Sequence, residues 1–286
     1  MSVFGVIALS GCVAAQDLSD YRIERMAAGL TYAEGPAWSR DGYLVFSDIP
    51  NNEIWRWVPG QKRELMRANS NGAIGNAFDA QGRLYTCESH TRRVVRLDRN
   101  GRIEVLADKW EGKRLNSPND IVVRRDGHAW FTDPAFGPAN DHRELDFYGV
   151  YHIAPKGSLE VVAKPAGRPN GIALSPDGRT LYVTNSDEHN VRAYDIEHNG
   201  AASNERVVIS GIEGVPDGMK VDEKGNLYVA ARKLYVFSPT GQPLGAVQFD
   251  DPPSNLAFGG PEMDQLFVTA RTTVYLVHLG AKGATP

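Results

Sequence analysis

The sequence predicts an all-β fold: a six-bladed β-propeller whose last blade is closed by a strand from the N-terminus. Three observations predict it. A strand–turn–strand pattern recurs six times along the 286 residues, turn-forming residues are spread evenly between the copies, and no useful helical periodicity interrupts them. The 29 Gly and 17 Pro are dispersed rather than clustered, which marks many tight turns between short strands. With 42% apolar residues the chain can bury a large core, and disorder is excluded.

The recurring unit is a turn followed by an apolar strand. It reads Asp41-Gly42-Tyr43-Leu44-Val45-Phe46, then Gln81-Gly82-Arg83-Leu84-Tyr85, then Asp126-Gly127-His128-Ala129-Trp130-Phe131. The later copies begin at Asp177-Gly178, Lys224-Gly225 and Met263-Asp264. Gly42, Gly82, Gly127, Gly178, Gly225 and Asp264 are spaced 40, 45, 51, 47 and 39 residues apart. Gly and Asp tolerate the positive φ of hairpin turns, so each pair punctuates two strands. A second apolar run follows each strand, as in Glu53-Ile54-Trp55-Arg56-Trp57, giving about four short strands per repeat, the content of a propeller blade. The final copy is short, so residues 20–28 are expected to supply its missing strand and close the ring. A solenoid or a pair of β-sandwiches is the competing architecture.

Residues 1–16 stand apart from this pattern. Val3 to Leu9 is apolar but too short to span a bilayer. Leu9-Ser10-Gly11-Cys12 is similar to a bacterial lipobox, with Cys12 as the site of a lipid anchor, and Val13-Ala14-Ala15 reads as an ordinary secretory cleavage site. No Lys or Arg precedes Arg22, so the usual basic leader region is missing. The expectation is a leader over residues 1–16, export to the periplasm, and one propeller domain over residues 17–286.

Charge and cysteine usage narrow the function. The formal net charge is −4 and no Lys/Arg run exceeds two residues, which excludes a nucleic-acid footprint and favours a small-molecule partner. Cys12 and Cys87 make neither a disulfide framework nor a zinc site, and Cys87, within an inner-strand pattern, reads as a small buried residue. No Gly-x-Ser-x-Gly elbow, Walker loop or His-Glu-x-x-His is present.

The repeat register selects candidate site residues. Counting seven residues back from the residue before each turn glycine gives Glu34, Ile74, Asn119, Asn170 and Asp217, and matching the apolar run of the last copy gives Ser254. The innermost strands of a propeller line its channel, so these six positions form a ring around one end. Glu34, Asn119, Asn170 and Asp217 present two carboxylates and two amides toward one point. Hard divalent cations accept such oxygens, while a ring without His or Cys gives zinc the weaker claim. The bland alternative is strand ends bonded to water in an open channel. A looser second ring of Asp48, Glu88, Asp133, Asn185, Ala231 and Ala270 is expected at the same opening, either holding substrate or solvating a rim. Arg114, His90, His142, Arg232 and Arg271 fall in nearby loops.

The motifs Ala33-Glu34-Gly35-Pro36-Ala37-Trp38, Phe46-Ser47-Asp48-Ile49-Pro50-Asn51-Asn52 and Arg114-Leu115-Asn116-Ser117-Pro118-Asn119-Asp120 resemble gluconolactonase. Pro169-Asn170-Gly171-Ile172-Ala173-Leu174-Ser175 and Pro216-Asp217-Gly218-Met219 match the wider family that includes the senescence marker protein regucalcin. The resemblance covers residues 30–275. It implies a six-bladed propeller with one catalytic divalent metal, calcium first, with magnesium, manganese or zinc as alternatives. By this likeness Glu34, Asn170 and Asp217 are the metal ligands, Asp217 the general base, and Asn119 the amide that holds water or substrate. Regucalcin-like members carry Arg where this chain has Ser117, and Arg114 is the substitute candidate for substrate binding. The implied chemistry is hydrolytic opening of a sugar lactone. Hydrolysis of another ester class, or a non-catalytic sugar-acid or protein-binding propeller, are the alternatives.

Overall fold

The computed structural model describes residues 21–285. The leader expected over residues 1–16, with Cys12, lies outside the described residues.

Six four-stranded antiparallel sheets follow one another along the chain. Their inner strands are Ala33–Ser39, Ala73–Phe78, Ile121–Val123, Pro169–Leu174, Met219–Val221 and Asn255–Gly259, which begin blades one to six. The sixth blade takes its outer strand, Arg22–Ala27, from the N-terminal side, and this strand pairs antiparallel with Thr273–His278 from Arg22 opposite His278 to Ala27 opposite Val274. The expected closure is therefore present. The turn glycines Gly42, Gly82, Gly127, Gly178 and Gly225 all have φ between +68° and +92°. In blade six the left-handed residue is Met263, at φ +58°, one position before the Asp264 that the repeat alignment selects.

Strands buried on both faces read as near-continuous apolar runs, and their alternate side chains enter different cores. Leu44 and Phe46 pack toward blade six, whereas Val45 between them packs toward blade two. Trp130 joins blade four, and Ala129 and Phe131 join blade two. Each of the six blade interfaces has such a cluster. Burial of this kind stabilises by roughly 25 cal/mol per Å² of apolar surface, and six-fold repetition distributes it around the ring.

A circuit of hydrogen bonds joins the blades at the level of the predicted ring. Ser47 Oγ donates to the Ile74 carbonyl at 2.9 Å, Gly75 N to the Asn119 carbonyl at 2.8 Å, and Thr132 Oγ1 to the Asn170 carbonyl at 2.6 Å. Gly171 N donates to the Asp217 carbonyl at 3.1 Å, and Gly218 N to the Ser254 carbonyl at 2.8 Å. Ser254 Oγ closes the circuit on the Ala33 carbonyl at 2.8 Å. Every blade thus fixes the main chain that carries the next blade's ring residue. Cys87 is buried in the cluster between blades two and three, as expected, and burial pushes its thiol well up.

Candidate active site at the channel mouth

An open cavity of about 850 Å³ sits at one end of the channel. Glu34, Ile74, Asn119, Asn170 and Asp217 line it, five of the six positions the register selects. Ser254 is buried instead, its hydroxyl committed to Ala33 and Thr269.

The local bonding fixes how the ring side chains face. Ser186 Oγ donates to the Pro216 carbonyl at 2.7 Å, so it must accept from Asn170 Nδ2, 3.2 Å away. Asn170 also interacts with the Asp217 carboxylate and lines the cavity beside it. Glu34 Oε2 accepts from its neighbour Gly35 N and from Asn255 Nδ2, leaving Oε1 available. Glu34, Asn119 and Asn170 are buried, and Asp217 is partly open to the cavity.

Both ring carboxylates are short of positive charge. Burial, then the charge of Asp120, pushes Glu34 up to about 7, against the bonds from Gly35 and Asn255. Burial, then Glu34 and Asp120, raises Asp217 well above its ordinary value. Burial and these two carboxylates likewise raise the phenol of Tyr32 on the cavity wall. Two carboxylates on one cavity wall with the amides Asn119 and Asn170 are chemically suited to a hard divalent cation.

Two functional candidates beneath the ring escaped the sequence reading. Asp120 and Asn255 are buried, and Asn255 Nδ2 lies 3.0 Å from Glu34 Oε2 and 3.4 Å from Asp120 Oδ2. The Asn255 Oδ1 accepts from Leu256 N at 2.8 Å, which sets the amide orientation. Lys220 Nζ stands 4.0 Å from Asp120 Oδ2. Each of the two residues follows its ring residue by one position, where the other blades have Gly35, Gly75, Gly171 and Gly218. A Cβ on Gly75 would lie 2.5 Å from Asp120 Oδ1, and one on Gly218 would lie 2.2 Å from Asn255 Oδ1. The glycines leave the room that the two polar side chains occupy.

The second ring does neither job expected of it, because its polar members are buried and anchor loops. Asp48 accepts from Thr31 N and Tyr32 N at 2.9–3.1 Å, and Asp133 accepts from Asn116 N and Ser117 N at 2.7 Å. Glu88 pairs with Arg67 and Arg93, and Asn185 accepts from Asp187 N and Glu188 N. Of the six positions only Ala231 lines the mouth cavity. Arg114 stands apart as well: it is exposed, its guanidinium donates to the Thr91 carbonyl at 2.9 Å, and it is not on the cavity wall. Arg232 and Arg271 are on that wall, whereas His90, His142 and Ser117 line an adjoining cavity across Phe136.

Residues 32–272 match the SMP-30/Gluconolactonase/LRE-like region. The chain belongs to this family. It is 33% identical over 287 residues to a gluconolactonase of Zymomonas mobilis, covering 89% of this chain and 80% of that protein. A diisopropyl-fluorophosphatase of Loligo vulgaris is 30% identical over 268 residues, covering 83% of this chain and 85% of the relative. Among solved structures, a gluconolactonase of Xanthomonas campestris superposes with a TM-score of 0.86 at 35% identity, covering 93% of this chain and 91% of that one. The family match spans the ring residues of all six blades.

Proposed function

We propose that this protein is a metal-dependent lactone hydrolase, with Glu34, Asn170 and Asp217 holding one divalent cation, calcium foremost. The charge count carries the metal reading. The carboxylates Glu34, Asp120 and Asp217 act on one another against one nearby ammonium, Lys220, with Arg271 on the outer wall, an excess of negative charge that a divalent cation offsets. The relatives named gluconolactonase support the lactone. When bound, such a cation supplies Lewis acidity toward a carbonyl oxygen.

The chain's own residues supply the rest. Asp217, partly open to the cavity, is placed to take a proton from the attacking water. The water oxygen bonds to the lactone carbonyl carbon, the ring C–O bond breaks, and the proton passes to the departing alkoxide, giving an open hydroxy acid. Asn119 holds water or substrate beside Asp217. Asn170, held by Ser186, interacts with Asp217 and keeps it in place.

The test is a panel of lactones and a phosphotriester, assayed after chelation and again after adding back divalent ions. Lactone turnover that disappears with chelation and returns with the ion is the expected result. Phosphotriester turnover alone would favour the activity for which the Loligo vulgaris relative is named. No turnover of either would leave a binding propeller.

A further inference from the structure

Among the described residues, the upper wall of the mouth cavity is poor in hydrogen-bonding side chains. Above the ring, its polar side chains are Tyr32, Arg232 and Arg271. Arg232 is already paired with Glu213 at 2.9 Å. The remaining wall is apolar, built from Ile49, Phe136, Val215, Pro252 and Pro253 on loops of four blade connections. Val215 is 58% exposed, among the large apolar side chains left open to solvent. It stands two residues from Asp217, so this apolar surface adjoins the ring directly.

A polyhydroxylated lactone seated here would lose water from several hydroxyls and find few partners. Each hydroxyl buried without a partner loses its bond to water and gains nothing in return. An apolar substituent gains by the same move, because it covers Val215 and its neighbours. Resting on the lactonase reading, we infer that the substrate is a lactone bearing an alkyl or aryl substituent, which packs against Ile49, Phe136, Val215 and the Pro252-Pro253 pair. The ring residues handle the ester group, and the loops select for an apolar chain beside it.

The experiment uses the metal-loaded enzyme and compares kcat/KM for δ-valerolactone, its unbranched alkyl homologues up to δ-decalactone, and glucono-δ-lactone. Expected is a rise of roughly threefold per methylene over the first few carbons, as apolar burial predicts. Glucono-δ-lactone is expected to fall below the longer homologues. Val215→Ser should flatten the rise. A flat or falling series on an enzyme that hydrolyses δ-valerolactone or glucono-δ-lactone overturns this inference and leaves the lactonase reading standing. Absence of turnover on every lactone overturns the lactonase reading, and this inference with it.

Discussion

Asn255 Nδ2 donates to Glu34 Oε2 at 3.0 Å, joining the last blade to the first inside the channel. The bond spans 221 residues of sequence and holds the carboxylate that opens the first inner strand. Asn255 has its Oδ1 occupied by Leu256 N, so it can present only N–H groups to Glu34 and Asp120. It is a positioning residue, acting on the ring through Glu34.

Asn255→Ala should therefore weaken divalent-cation binding about tenfold and lower folding stability by about 1–3 kcal/mol, the usual cost of stranding a buried polar partner. Calorimetric titration and urea unfolding measure the two. An unchanged affinity would show that Glu34 keeps its place unaided.

The glycines around the ring make a second expectation. A Cβ on Gly35 would lie 1.9 Å from the Ile74 carbonyl oxygen, and the backbone there has φ +52°. Gly35→Ala must shift main chain in two blades, and a loss of roughly 3 kcal/mol or more is expected. A urea midpoint equal to that of the unmodified protein would contradict the close approach.

A third expectation concerns acid. His152 is buried and shares a 2.7 Å hydrogen bond with His128, the rings stacked 4.9 Å apart. Burial holds both imidazoles below their ordinary 6.5, and for His152 the charge of His128 adds to it. The unfolded chain then binds more protons once pH falls below about 6.5. Stability present above that pH is lost as pH falls through the folded values. The melting temperature should drop on the order of 2–4 °C between pH 7 and 5.5 from this pair, and His128→Leu should reduce that drop. An identical pH slope in the variant would exclude the pair as its source.

Arg114 and Asn119 separate by position. Arg114→Ala, off the cavity wall, should leave kcat/KM for a lactone within about twofold, whereas Asn119→Ala should lower it at least tenfold. Steady-state kinetics of both variants decide this. A large effect at Arg114 would return it to the substrate.

The ring was legible because blade repetition places equivalent residues at equivalent heights, so Glu34, Asn119, Asn170 and Asp217 could be aligned by counting. The strand from residues 20–28 was legible because the last copy was one strand short. Asp120 and Asn255 were hidden by the same counting, since they stand one position past the ring. A signal for them existed: glycine occupies that position in four copies, and a polar residue in a glycine series points to space that someone fills. The second ring misled because a carboxylate at a strand end serves a loop's N–H groups as well as a ligand. Asp48 and Asp133 do so, and only three-dimensional burial tells the two apart. Arg114 lies in a matched motif, yet its side chain follows a short hairpin, Lys109–Trp110 with Lys113–Arg114, whose direction the motif does not contain.

The most direct test is lactone turnover by Asp217→Asn at saturating divalent cation, with bound metal measured on the same sample. The substitution keeps an oxygen at the ring and removes the proton acceptor. We expect one ion bound per chain in both proteins, though more weakly in the variant, and a fall in kcat on the order of 10²–10⁴-fold. A variant that binds its ion and turns over lactones at the full rate would contradict the assignment of Asp217 as the base.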